Sequence, residues 1–92
     1  MKLEFTKVDG TNAMVAQAVV NGDFNLHIEM VQGGKVVVSV STVADGKKAI
    51  KGVGNVSDDG VYDEDFDAIV YPKYVEIRTT SQVREGYITE AL

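Results

Sequence analysis

Phe24-Asn25-Leu26-His27-Ile28-Glu29-Met30 alternates apolar and polar side chains without a break. Successive side chains of a strand point to opposite faces. Phe24, Leu26, Ile28 and Met30 therefore share one face, and Asn25, His27 and Glu29 the other. A period of two held over seven residues marks a half-buried strand rather than a helix.

Turn-forming pairs bracket this run, Asn21-Gly22 before it and Gly33-Gly34 after it. Asp9-Gly10 and Asp45-Gly46 extend the series at the same 12-residue pitch. Gly, Asn and Asp reach positive φ at low cost and tight hairpins require it, so the ladder predicts successive antiparallel strands.

If chain neighbours pair as hairpins, the need to keep one face apolar sets their registers. A two-residue loop at Asp9-Gly10 puts Phe5 opposite Met14 and Leu3 opposite Ala16. At the second turn, Asn-Gly by itself favours two residues, which would bury Gln17 opposite Leu26 at about 1–3 kcal/mol for an unpaired amide. A three-residue loop avoids this and puts Val20 opposite Phe24 and Ala16 opposite Ile28. Gln32-Gly33-Gly34 then puts Met30 opposite Val36 and Ile28 opposite Val38. The inner face becomes Leu3, Phe5, Met14, Ala16, Ala18, Val20, Phe24, Leu26, Ile28, Met30, Val36, Val38 and Val40. The outer face carries Glu4, Thr6, Gln17, Asn25, His27, Glu29, Ser39 and Ser41, interrupted by Val15, Val19 and Val37.

Beyond Gly46 the pattern weakens. Gly52 and Gly54 interrupt Lys47 to Val56 and predict a bulge or a close backbone approach. Ser57 to Glu64 reads as an exposed loop, and Asp65 to Tyr71 fits either a strand with Phe66 inward or a short helix. Pro72 ends either element. Lys73 to Thr80 alternates again as a strand, and Ser81 to Leu92 is read as a closing strand in preference to a helix, which Gly86 would weaken.

The composition agrees: 16 Val and 5 Ile stand against 3 Leu. Branching at Cβ suits pleated sheets. The 92 residues form a single domain, 1–92. The expected fold is mainly β, an antiparallel up-and-down meander of about eight strands closing as a small sandwich or barrel. The alternative is α+β, with a four- to five-stranded antiparallel sheet covered on one face by one or two short helices.

The chain has no Cys and one His, which removes disulfides, thiolate chemistry and two-histidine metal motifs. No apolar run approaches the length of a membrane span, and the expectation is a soluble, cytoplasmic protein from a bacterium or phage, without a cofactor. The net charge of −5 is concentrated: Asp58, Asp59, Asp63, Glu64, Asp65 and Asp67 lie in ten residues, with no Lys or Arg between Lys51 and Lys73. Such a balance argues against nucleic-acid binding.

Within the acidic segment, Asp59, Asp63, Asp65 and Asp67 are candidate ligands for a hard divalent cation, although neither possible EF-hand frame is complete. His27, beside Gln17 and opposite Ser39 in the hairpin register, could form a His-Ser pair, but no nucleophile elbow accompanies it. Tyr71, Lys73, Tyr74 and Arg78 combine aromatic and basic groups of the kind that hold single-stranded nucleic acid. With no coherent set of acid, base, nucleophile or metal ligands, the expected function is a non-catalytic protein-interaction or assembly module. It would act on a protein partner or a second copy through a sheet edge or through Val15, Val19, Val37, Tyr71, Tyr74 and Arg78. A β-barrel closing around a small ligand, with room left by Ala16, Ala18, Gly52 and Gly54, is the alternative.

Overall fold

The Phe24–Met30 strand is the middle of a three-stranded antiparallel sheet, and its partners come from the far half of the chain. The computed structural model describes residues 1–67 and 72–91. Its elements are β1 (Thr6–Lys7), β2 (Met14–Val20), β3 (Phe24–Met30), β4 (Gly34–Ser41), β5 (Ala49–Val56), β6 (Val61–Phe66), β7 (Lys73–Thr79) and β8 (Val83–Glu90). One sheet has the order β1-β2-β7-β4-β5 and the other β6-β3-β8, and every pairing is antiparallel. The protein is an all-β sandwich, and among the described residues there is no helix.

The inner face is the one the alternation defines. Leu3, Ala16, Val20, Phe24, Leu26, Ile28, Met30, Val36, Val38 and Val40 are buried, joined by Val56, Tyr62, Val75, Ile77 and Ile88. Phe5, Ala18, Phe66 and Val83 pack against this cluster.

The neighbours are different. Val20 does not pair with Phe24, nor Ile28 with Val38: β2 pairs with β1 and β7, β3 with β6 and β8, and β4 with β5 and β7. The links 21–23 and 31–33 are therefore arches that carry the chain from one sheet to the other. Backbone geometry agrees, because among the described residues positive φ occurs at Gly10, Asp45 and Gly60 and not at Asn21, Gly22, Gly33 or Gly34. Primed hairpin turns need it. The physical reason is coverage. A flat meander would leave its apolar face for other segments to cover, whereas crossing at each arch lets β3 cover β2 and β4 directly.

At the first turn the loop is also longer than two residues. Val8 N–H donates to the Ala13 carbonyl at 2.9 Å, and Thr6 pairs with Val15 and Lys7 with Met14. This moves the register by two residues and leaves every side chain on its expected face. Ahead of β1, the chain lies along β8, with Lys2 bridging Tyr87 and Leu3 N–H donating to the Gly86 carbonyl at 2.8 Å.

Val61 to Glu64, expected in a loop, lies in β6, and β8 confirms the closing strand. Both consequences expected of the glycines in β5 are present. The β4–β5 register shifts between Val38 and Ser39, and a Cβ on Gly54 would run into the ring of Tyr62. The part of the helix-or-strand segment that falls on 68–71 lies outside the described residues. No helix among the described residues is long and apolar enough to cross a membrane.

Candidate functional site

Two outward faces carry the residues singled out above. On the five-stranded sheet, Thr6 pairs with Val15, Val15 with Arg78, Arg78 with Val37, and Val37 with Val53. Insertion of β7 between β2 and β4 thus places Val15, Arg78, Val37 and Val53 in one row. One repeat away, Gln17, Glu76, Ser39 and Ile50 form a second row, and Val19, Tyr74 and Ser41 a third.

Val19, Ile50 and Val53 expose 47%, 64% and 57% of their surface, so this face presents apolar side chains to solvent among polar ones. Arg78 Nε donates to Glu76 Oε1 at 2.8 Å along the same strand. Of the six expected interaction residues, five share this face, and Tyr71 lies outside the described residues. Ile50 and Val53 were not singled out in the sequence. The glycines on both sides of Val53 obscured its strand, and Ile50 precedes the bulge.

The outer face of the three-stranded sheet is polar and acidic. His27 stands between Asp63 on β6 and Tyr87 on β8, and not opposite Ser39 beside Gln17. The His-Ser pair is not formed, because β3 and β4 belong to different sheets. His27 Nδ1 lies 2.7 Å from Asp63 Oδ2, and Nε2 lies 3.0 Å from Glu29 Oε2. The carboxylates of Glu29 and Asp63 raise the imidazole above its ordinary value of 6.5. Asn25 Nδ2 donates to Asp63 Oδ1 at 2.6 Å and to Asp65 Oδ1 at 2.9 Å. The Asn25 bond and then the His27 bond hold the Asp63 carboxyl below 3.8. With both ring nitrogens facing carboxylates, His27 when protonated is an ion-pair bridge that ties edge strand β6 to β3.

The four carboxylates considered for a cation do not converge. Asp59 Oδ1 accepts bonds from Ser57 Oγ at 3.0 Å and Val61 N–H at 3.2 Å, closing the β5–β6 turn. Asp63 and Asp65 flank Asn25 on the outer face, and Asp67 follows β6. Among the described residues no group of three or more His, Cys, Asp or Glu side chains is placed to hold a metal ion. Asp59 serves turn geometry and Asp63 serves strand pairing.

Charge divides between the sheets. The strands of the five-stranded sheet carry Lys7, Lys35, Lys51, Lys73 and Arg78 against Glu76. Those of the three-stranded sheet carry Glu29, Asp63, Glu64, Asp65, Glu85 and Glu90 against Arg84. A third feature is a groove of about 410 Å³ on the side of the sandwich where edge strands β5 and β6 approach, lined by Phe24, Val40, Gly52, Gly54, Tyr62 and Phe66 among others. The rings of Phe24 and Phe66 stack with centroids 5.1 Å apart. No family model, curated protein or solved structure matches the chain.

Proposed function

We propose that this chain is a non-catalytic protein-interaction module that docks a partner protein on the outer face of its five-stranded sheet. The observation that supports this most is the row Val15, Arg78, Val37 and Val53, extended by Val19, Ile50 and Tyr74. These apolar side chains point away from the core and add nothing to it, whereas the same positions on the other sheet are filled by Asn25, His27, Glu29, Asp63 and Asp65. Exposed apolar patches of this kind mark interaction surfaces. Arg and Tyr among them are the residue types that anchor such contacts.

The complementary partner surface is mainly apolar, since by register only Lys35 and Arg78 stand on this face against Glu76, and Arg78 is already paired with Glu76. A photo-cross-linking residue at position 37, used in the native host, tests this. A stoichiometric adduct that disappears from a folded Val53→Glu variant supports the module. A chain that stays monomeric and yields no adduct at position 37 overturns it.

A further inference from the structure

We propose that the edge of β5 that no other described strand pairs, with the groove beside it, is an acceptor site for an extended peptide that carries apolar side chains at alternate positions and a lysine or arginine. The site is separate from the outer face. Lys35 on β4 donates its N–H to Thr80 Oγ1 at 2.9 Å, and its carbonyl accepts from Thr80 N–H at 3.1 Å. Backbone groups alternate in direction along a strand, so Gly34, Val36 and Val38 turn theirs toward β5, where their partners are Val56, Gly54 and Gly52. The N–H and C=O groups of Val53 and Asn55 consequently point away from β4. No other strand among the described residues pairs with that edge.

The edge of β6 is guarded where that of β5 is not. Three successive carboxylates, Asp63, Glu64 and Asp65, make β6 a poor template for strand addition, which is how edge strands are commonly blunted. β5 holds no carboxylate, and its one charged residue is Lys51. A strand added along β5 would direct every second side chain to the same side as Gly52 and Gly54, into the groove beside the Phe66 and Tyr62 rings that cover those glycines. Addition of a strand to an exposed edge, with alternate side chains in a pocket, is an established mode of peptide capture.

Charge selects the ligand. Glu64, Asp65 and Asp67 line the β6 margin of the groove, and Lys51 and Lys73 also line it. A basic side chain reaching across toward β6 is attracted there, and an acidic one is repelled.

A phage-displayed library of random nonapeptides, panned against the intact protein, provides the test. Selected peptides are synthesised, and binding is followed by fluorescence anisotropy and by amide shifts. The expected peptides alternate apolar residues and carry Lys or Arg. They shift the amides of Val53 and Asn55, and single backbone N-methylation lowers affinity about tenfold or more at every second position only. N-methylation leaves the protein untouched, so misfolding cannot imitate the result. Glu64→Lys with Asp67→Lys should weaken binding severalfold, and Gln17→Lys, exposed on the outer face at β2 and remote from β5, should leave it unchanged, which separates this site from the outer face. Failure to select any binder, binders that shift Val15 and Val37 instead, equal losses at all N-methylated positions, or occupation of the β5 edge by a second copy of the chain would each overturn the proposal.

Discussion

The ring of Tyr62 on β6 lies against the backbone of Gly54 on β5, so the edges of the two sheets meet where a side chain is missing. Tyr62 is buried there, and burial, followed by the charge of Glu64, raises its phenol above 10.0.

Gly54→Ala places a methyl group against that ring and should destabilise the fold by about 1–3 kcal/mol, the usual cost of overpacking. Equilibrium denaturation measures it. Tyr62→Leu introduced into Gly54→Ala should recover part of the loss, because the smaller side chain relieves the clash. An additive double variant would mean that the contact is not the cause.

Val37 and Val38 are neighbours on β4 with opposite fates, one half-buried on the outer face and the other fully buried. The same substitution distinguishes them. Val38→Thr buries a hydroxyl among apolar side chains and should cost about 1–3 kcal/mol. Val37→Thr should stay within about 0.5 kcal/mol. Comparable losses at both positions would contradict the observed facing of β4.

Thr79 is buried on β7, and its Oγ1 donates to the Ser81 carbonyl at 2.7 Å, while Ser81 Oγ donates to the Gly33 carbonyl at 2.8 Å. Together they hold the β7–β8 crossing against the β3–β4 crossing. Thr79→Val keeps the shape but strips the Ser81 carbonyl of its donor, at about 1–3 kcal/mol. Amide exchange at residues 80–82 should accelerate more than exchange in β2.

The His27 bridge makes stability depend on pH in two windows. Glu29 and Asp63 raise the folded imidazole above 6.5, so its contribution is fully present below 6.5 and is lost as pH rises through the raised folded value. Asp63 is depressed below 3.8 by Asn25 and His27, so its contribution is present above 3.8 and is lost as pH falls through the depressed folded value. His27→Gln should therefore lower the melting temperature most at about pH 5–6 and progressively less on the alkaline side. Asn25→Ala should move the Asp63 titration back up toward 3.8, as followed by carboxyl carbon NMR.

Strand facing was legible residue by residue. Phe24, Leu26, Ile28, Met30, Val36, Val38 and Val40 are all buried as their alternation requires. The acidic segment was not legible, because charge at Asp63, Glu64 and Asp65 hid the strand that turns Tyr62 inward and Asp63 outward. Val15 and Val37 could be placed on an outer face from sequence. Their presence in one row with Arg78 could not, since it depends on a strand more than 30 residues further along the chain lying between them.

For the strands with clear alternation the sequence by itself determined which side meets water, because that choice is a period-two property of the strand's own residues. Tertiary structure decided which strands are neighbours. A three-residue link such as 21–23 can close a hairpin or cross between sheets while burying the same side chains, and only coverage of the whole apolar face distinguishes the two. That coverage placed β7 between β2 and β4, brought Asp63 to His27, and left the β5 edge beside a groove.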